Sequence, residues 1–265
     1  MIRVQSLSVQ YGGKFAVEDV SFSVPKGCAA ALIGPNGCGK STLLKAIAHM
    51  VKPSSGSVFL DGQDSAKWRS RQMARVLAFL PQQLSAPADY TVRELVEFGR
   101  SPFLSFGQRM RENDRKIVEW AISQMNLDGF QERTAASLSG GERQRVWIAM
   151  RLAQKPEILL LDEPTTYLDI AAQYETLRLV RRLNRETGMT VLMVLHDLNQ
   201  AAEFSDRIFA MRGGRWQGEG NVREMMTAAL IRDVFGMNGV VIDNPVTGIP
   251  MFVPDAGDRK KGPLQ

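Results

Sequence analysis

The chain has 265 residues, of which 44% are hydrophobic, and it carries a formal net charge of +5. This composition supplies enough apolar side chains for a globular core, while every apolar run falls far short of the roughly 20 residues that a membrane-spanning helix needs. Basic residues are spread along the chain and mixed with acids, so we expect a solvated surface and no nucleic-acid partner. The N-terminus alternates apolar and polar residues, which is unlike a secretory signal and predicts a cytosolic protein.

The predicted elements change from antiparallel β to α/β within the first 60 residues. The first 25 residues contain two alternating strand patterns, and a third short strand covers residues 57–60 before an Asp-Gly turn. Together they predict an antiparallel sheet. Between the second and third of these strands lies an apolar strand, Ala29 to Ile33, which is followed by a glycine-rich loop and a helix from Lys40. Apolar residues at helical spacing predict that this helix has one apolar face and continues as far as Val51.

Helical patterns dominate residues 83–155, where strand signals fade. One predicted helix carries an apolar stripe formed by Ile117, Trp120, Ala121 and Met125. We therefore interpret residues 83–155 as a helical insertion.

Strands return in the last part of the chain. Apolar runs predict strands at Ile158 to Leu161 and at Thr190 to Leu195. A helix from Ile170 to Arg185 separates them and carries an apolar stripe formed by Ile170, Tyr174, Leu177 and Val180. A hairpin that turns at Gly213-Gly214, a helix around Ala228 to Phe235 and a final hairpin complete the prediction.

A phosphate-binding loop lies between the strand ending at Ile33 and the helix that follows. Its residues are Gly34, Pro35, Asn36, Gly37, Cys38, Gly39, Lys40, Ser41 and Thr42. The glycines let backbone N–H groups wrap phosphates, Lys40 places a cation against the β and γ phosphates, and Ser41 offers a hydroxyl to Mg²⁺. The alternative is a chance glycine-rich turn, against which the flanking strand and helix argue.

Two acids end the apolar strand that begins at Ile158. A carboxylate at the end of a strand beside a phosphate loop is how nucleotide hydrolases hold Mg²⁺, so Asp162 is the predicted metal ligand. Glu163 points elsewhere and could orient and deprotonate the attacking water. The alternative is that both acids merely cap the turn before Pro164.

Three further residues are candidates for the site only because of the segments that surround them. His196 closes a strand that we expect beside the Asp162 strand, which would bring its ring near the γ-phosphate. Gln82 follows an apolar run and could bind the metal or its water through its amide oxygen. Tyr11 precedes a small-residue turn and could stack on adenine, although an isolated aromatic residue more often belongs to the core.

A second anion-binding pattern occupies residues 138–144, Leu-Ser-Gly-Gly-Glu-Arg-Gln. Ser139, Gly140 and Gly141 precede a helix-forming run, and a helix N-terminus with glycines presents free N–H groups to a phosphate. Two phosphate sites in one chain need an explanation.

In this order, the segments resemble those of the ATP-binding-cassette ATPases. The matching positions are Tyr11 for adenine stacking, residues 34–42 for Walker A, Gln82 for the Q-loop, residues 138–144 for the signature, residues 158–163 for Walker B, Leu168-Asp169 for the D-loop and His196 for the switch histidine. The resemblance implies that ATP and Mg²⁺ are bound, and that two copies pack head to tail, so that Ser139, Gly140 and Gly141 serve the partner's ATP.

The same resemblance implies an α/β fold with a P-loop nucleotide-hydrolase core, an N-terminal antiparallel β subdomain and an inserted helical subdomain. Residues 1–265 would form one ABC ATPase domain. Within it, residues 1–82 and 156–220 would make the ATP-binding core with its β subdomain, residues 83–155 the helical subdomain with the signature, and residues 221–265 a C-terminal helix and hairpin.

Further segments, among them residues 80–83, 147–150, 162–170 and 195–201, resemble the ATPases of bacterial ferric-siderophore importers. This implies a peripheral protein on the cytoplasmic face of the membrane, coupled to transmembrane permease subunits and, through them, to a periplasmic or surface substrate-binding protein. Haem or vitamin B12 remain alternative cargoes. A soluble cassette ATPase acting on nucleic acid or ribosomes is an alternative of another class, but such proteins usually carry two cassettes or a long coiled-coil insertion.

Overall fold

A computed structural model describes residues 1–82, 89–105 and 108–255 of the chain. The strands in chain order are β1 (Ile2–Tyr11), β2 (Lys14–Val24), β3 (Ala29–Ile33), β4 (Ser55–Leu60), β5 (Gln63–Asp64), β6 (Leu77–Leu80), β7 (Ile158–Asp162), β8 (Thr190–Val194), β9 (Arg207–Arg212), β10 (Arg215–Asn221), β11 (Gly239–Asp243) and β12 (Pro250–Pro254). The α-helices are α1 (Lys40–Ile47), α2 (Ser70–Val76), α3 (Val92–Glu97), α4 (Glu112–Gln124), α5 (Gly140–Leu152), α6 (Ile170–Thr187), α7 (Leu198–Phe204), α8 (Val222–Met225) and α9 (Ala228–Phe235).

The N-terminal strands form the expected antiparallel sheet, in the order β2-β1-β4-β5. Its strands are buried on one face because apolar and polar residues alternate with the period of the pleat. Val20, Phe22 and Val24 of β2 are buried, whereas the residues between them are exposed. This face packs in one apolar cluster with α1 and one face of the central sheet.

The central sheet has the order β10-β9-β3-β8-β7-β6. The strands β9, β3, β8, β7 and β6 run parallel, and β10 pairs antiparallel with β9. Every residue of β3, β7 and β8 is buried, because a parallel sheet is covered on both faces. Parallel pairing also places the carboxyl ends of β3, β6, β7 and β8 along one edge of the sheet, where ligands of open α/β sheets bind.

The described part of residues 83–155 is helical, as the sequence predicts. It contains α3, α4 and α5 together with short 3₁₀ turns. The buried face of α4 differs from the predicted stripe: Val118 and Ile122 are fully buried with Ala121, whereas Ile117 and Trp120 are only partly buried. The buried face of α4 is therefore shifted around the helix from Ile117 and Trp120 toward Val118 and Ile122.

Two further details of the prediction are wrong. Helix α1 ends at Ile47, because the chain turns at His49 with φ +57, and Val51 therefore lies beyond the helix. Ile170, predicted on the apolar stripe of α6, is 75% exposed, since it is the first residue after the N-cap Asp169 and projects beyond the packed turns.

The C-terminal elements pack against the central sheet and its helices. Strands β11 and β12 form the predicted hairpin, and β12 lies against α7. Within the part of the chain that the structure describes, no helix is both long enough and apolar enough to span a bilayer.

Candidate active site

The phosphate loop links β3 to α1 and requires glycine at two close approaches. A Cβ atom at Gly34 would lie 2.2 Å from the Met211 carbonyl oxygen, and one at Gly39 would lie 2.1 Å from the Ala16 carbonyl oxygen. Both glycines also have positive φ, +153° and +101°. The loop is therefore clamped between β9 and β2, and its shape depends on residues without side chains.

Lys40 lies inside this loop and is 4% exposed. Its Nζ donates hydrogen bonds to the carbonyl oxygens of Gly34 at 2.8 Å and Pro35 at 2.9 Å. These carbonyls hold the ammonium group in the loop, where it can interact with the charge of a bound phosphate.

Ser41 and Asp162 meet at the carboxyl end of β7. The Ser41 Oγ donates to Asp162 Oδ1 at 2.8 Å, and Asp162 is 1% exposed. Burial raises the pKa of the Asp162 carboxyl, and the Ser41 hydrogen bond opposes that rise. Asp162 Oδ2 is buried without any hydrogen-bond partner, which costs free energy unless a cation or water pairs with it. A hydroxyl and a carboxylate oxygen without a partner fit Mg²⁺, which takes few protein ligands beside the phosphates of a nucleotide.

Glu163 follows Asp162 and turns away from the strand, with φ +54. Its Oε1 lies 2.6 Å from Nε2 of His196, and its Oε2 accepts a hydrogen bond from Nε2 of Gln82 at 2.5 Å. Oε2 also accepts from the Thr166 hydroxyl at 3.1 Å. Residues that follow β6, β7 and β8 thus converge on one carboxylate. In this arrangement Gln82 offers its nitrogen to Glu163 and directs its oxygen elsewhere.

Gln82, Glu163 and His196 line, together with the phosphate loop, a cavity of about 350 Å³. Its lining consists of Ala16, Asn36, Gly37, Gly39, Lys40, Ser41, Thr42, Gln82, Glu163 and His196. Backbone N–H groups, an ammonium group and a carboxylate therefore face one space, which can bind a phosphate chain and place a water beside a base. Tyr11 lies outside this lining, 53% exposed at the end of β1, and Ala16 of the neighbouring strand occupies the cavity wall instead.

The second anion-binding pattern lies at the N-terminus of α5, outside this cavity lining. Ser139 is the N-cap: its Oγ accepts from the Glu142 N–H at 3.2 Å, and Glu142 Oε2 accepts from the Ser139 N–H at 2.7 Å. Cβ positions at Gly140 and Gly141 lie 3.7 Å from Leu168 Cδ2 and 3.0 Å from Ala172 Cβ. The signature therefore packs against the start of α6 in the same chain, and its residues are not among those that line the cavity.

A polar connection that the sequence did not reveal joins the segments after Glu163 and His196. The Gln200 Nε2 donates to Gln173 Oε1 at 2.6 Å, and the Gln173 Nε2 donates to the Leu168 carbonyl oxygen at 3.0 Å. Gln200 is 3% exposed. The only sequence signal is a glutamine on the apolar face of a short helix, which a helical pattern alone does not distinguish from a surface residue.

Comparison with known proteins identifies the family. Residues 17–166 match the family model described as ABC transporter. This match covers more than half of the chain, and the chain therefore belongs to the ABC transporter family as one of its ATP-binding, ATP-hydrolysing proteins. The predicted family, fold class and ATPase activity are confirmed.

The chain is similar over nearly its whole length to importer ATPases. It is 45% identical over 250 residues to the iron(3+)-hydroxamate import ATP-binding protein FhuC of Bacillus subtilis, covering 94% of this chain and 93% of the relative. An inward-facing structure of a metal-chelate type ABC transporter superposes with a TM-score of 0.83 at 28% identity, covering 96% of both chains. A dimeric, post-hydrolysis structure of the cassette MJ0796 bound to ADP and Pi has a TM-score of 0.72 at 30% identity, covering 83% of this chain and 98% of that one.

Proposed function

We propose that the chain is the ATPase subunit of a bacterial importer for ferric siderophores. The observation that carries the catalytic part is the convergence of Gln82 and His196 on Glu163, beside the phosphate loop. The cargo rests on relatives: an iron(3+)-hydroxamate import protein and a metal-chelate type transporter both match nearly the full chain. Haem and vitamin B12 are the alternative cargoes.

The nucleotide binds with its phosphates in the loop formed by residues 34–42. Lys40 contacts the β and γ phosphates, and Tyr11 stacks on the adenine from the hairpin beside Ala16. Ser41, Asp162 and Gln82 hold Mg²⁺, and the buried, unpaired Oδ2 of Asp162 supports this assignment. Bound Mg²⁺ neutralises charge on the β and γ phosphates.

Glu163 acts as the base that orients the attacking water and accepts its proton. Both of its oxygens are occupied in the structure, Oε1 by His196 and Oε2 by Gln82 and Thr166. Oε1 has a single partner, His196, and a carboxylate oxygen accepts more than one hydrogen bond, so a water can bind at Oε1 beside the histidine. With ATP and Mg²⁺ bound, His196 would turn toward the γ-phosphate and the Gln82 amide oxygen would serve the metal.

Two copies of the chain share each nucleotide. Ser139, Gly140 and Gly141 lie outside the cavity of their own chain, which supports their role at the ATP of a second, head-to-tail copy. The dimeric cassette bound to ADP and Pi supports the same assembly. ATP closes the dimer because its γ-phosphate contacts both copies, and hydrolysis removes those contacts.

The dimer works on the cytoplasmic face of the membrane as a peripheral protein. It docks on transmembrane permease subunits through the groove between the core and residues 83–155. Gln82 couples the cycle of ATP binding and hydrolysis to these subunits. A periplasmic or surface substrate-binding protein delivers the iron chelate to the permease. We propose no nucleic-acid partner. Copurification of the permease with this chain from native membranes tests the proposed membrane partner, because a soluble cassette ATPase would bring down no membrane protein.

The base assignment is tested by Glu163→Gln. We expect ATP turnover to fall at least about 100-fold, because the amide cannot accept the proton, while ATP is still bound and closes the dimer. Glu157→Gln is the matched control, since Glu157 precedes the same strand at an exposed position and its pair with Lys26 lies at the surface. Undiminished turnover by Glu163→Gln would remove Glu163 from the mechanism.

The shared site is tested by mixing two inactive variants, Lys40→Ala and Ser139→Arg. A head-to-tail dimer of one copy of each contains one intact site, with Lys40 from one chain and Ser139 from the other. We expect such dimers, isolated through two different tags, to trap ATP at one site. If each chain used its own signature, both sites would be defective and no ATP would be trapped.

The cargo is tested in a strain that lacks this chain. We expect growth on a ferric siderophore as the iron source to be lost, whereas growth on haem and vitamin B12 uptake persist. Loss of haem use or vitamin B12 uptake instead would assign the chain to the corresponding alternative.

A further inference from the structure

The C-terminal hairpin is attached to the helix that directly follows His196. Asn199, in the first turn of α7, accepts a hydrogen bond from the Phe252 N–H at 2.7 Å through Oδ1. Its Nδ2 donates to the Phe252 carbonyl oxygen at 3.2 Å. One side-chain amide therefore satisfies both backbone groups of a residue 53 positions away.

Phe252 is itself held firmly in the hairpin. It pairs with Val241 of β11, while its N–H and C=O groups both point to Asn199, so this is a non-hydrogen-bonded pair whose polar groups face outward. Its ring is buried over Gly239, where a Cβ atom would come within 2.5 Å of ring atoms. Asn199 therefore bonds to a backbone position that has little freedom to move.

The first turn of α7 is fixed from three directions. The Asp197 carboxylate accepts from the N–H groups of Asn199 and Gln200 at 2.8 and 2.9 Å, which caps the helix. Gln200 is anchored to Gln173 of α6, and Asn199 is anchored to Phe252 of β12. His196 lies directly before this N-cap, so the direction of its side chain follows the position of the turn.

We propose that Asn199 is a positioning residue, through which the C-terminal hairpin holds His196 against Glu163. The inference rests on the catalytic roles proposed above for His196 and Glu163. Their side chains meet at 2.6 Å, and His196 is itself substantially exposed, so packing around its ring does little to orient it. Without the Asn199 amide, the first turn of α7 loses its link to β12 and the ring shifts relative to the carboxylate.

The test compares ATPase kinetics of full-length variants. We expect Asn199→Ala to lower kcat about tenfold, since sub-ångström to ångström misplacement of a catalytic group costs one to two orders of magnitude, with an unchanged KM for ATP because no phosphate-loop contact is altered. Asn199→Asp keeps an acceptor for the Phe252 N–H and should give an intermediate kcat.

Thr247→Ala is the matched control. The Thr247 hydroxyl donates to Glu203 Oε2 at 3.2 Å, so it also links the hairpin to α7. Glu203 lies near the C-terminal end of α7, away from His196. We expect kcat and KM of this variant to equal those of the unaltered protein. If the hairpin served only to stabilise the fold, both variants would lower the melting temperature and neither would change kcat selectively.

Two outcomes overturn the inference: a kcat of Asn199→Ala within twofold of the unaltered protein, or an equal loss of kcat in Thr247→Ala. Glu163→Gln is measured alongside. Full turnover by Glu163→Gln would refute the proposed role of Glu163 as the base, on which this inference rests, whereas an inactive Glu163→Gln with a fully active Asn199→Ala would refute only the role of Asn199.

Discussion

A buried ion pair in the helical region offers the sharpest test of how the fold supports the signature. Arg100 Nη2 and Nε lie 2.9 and 3.0 Å from Asp114 Oδ1, and Arg100 Nη1 donates to the Ala153 carbonyl oxygen at 2.8 Å. The side chains of Arg100 and Asp114 are only 5% and 10% exposed. This pair joins the 3₁₀ segment after α3 to α4 and to the C-terminal end of α5, whose other end carries Ser139.

We expect Arg100→Met to lower the free energy of unfolding by about 3–5 kcal/mol. The methionine keeps the length of the side chain but leaves the Asp114 charge buried and the Ala153 carbonyl without its partner. For a chain of this size the melting temperature should fall by roughly 10 °C. Urea denaturation followed by circular dichroism and calorimetry both measure the change.

The control is Lys116→Met, which removes the exposed pair between Lys116 and Glu112 on the same helix α4. Exposed pairs contribute little, so stability should stay within experimental error. The double variant Arg100→Met/Asp114→Leu should be more stable than Arg100→Met alone, because no buried charge is left unpaired. If Arg100→Met were as mild as Lys116→Met, or if the double variant were the least stable, the reasoning from a buried charge would be wrong.

Three further predictions concern the nucleotide loop and the core. Gly39→Ala should abolish ATP binding in a nucleotide titration, because its Cβ would lie 2.1 Å from a carbonyl oxygen at positive φ, whereas Gly129→Ala, which meets nothing within 4 Å, should bind normally. Lys40→Ala should lose ATP binding in the same titration while keeping its melting temperature within a few degrees, since its contacts lie within the loop. Burial raises the pKa of Cys28 to about 11, so little thiolate exists at pH 8. Iodoacetamide should therefore modify Cys28 only in urea, and fast labelling of the folded chain would contradict its burial.

Local sequence patterns predicted the elements whose structure depends on residues close to one another along the chain. The apolar run Ala29–Ile33 is a buried strand with the predicted bounds, and α9 also has its predicted bounds. The glycines of the loop and the helix from Lys40 follow from backbone sterics and helical spacing, which act over a few residues.

Predictions of which face is buried were less accurate. Ile170 is apolar but exposed, and α4 buries Val118 and Ile122 more deeply than Trp120. An apolar stripe shows which residues favour burial, but the neighbouring helices decide how the helix is rotated. The same limit applied to Gln200, whose burial depends on a partner, Gln173, in another helix.

The sequence by itself determined the chemical groups of this ATPase: a glycine loop with its lysine, an apolar strand ending in two acids, and a serine-glycine turn that begins a helix. Only the tertiary structure decided that Gln82 and Glu163, 81 residues apart, share a hydrogen bond and that His196 meets the same carboxylate. The physical reason is the parallel pairing of β6, β7 and β8, which brings the ends of distant strands to one edge of a sheet. The same packing placed Asn199 against Phe252, a contact that no local pattern encodes.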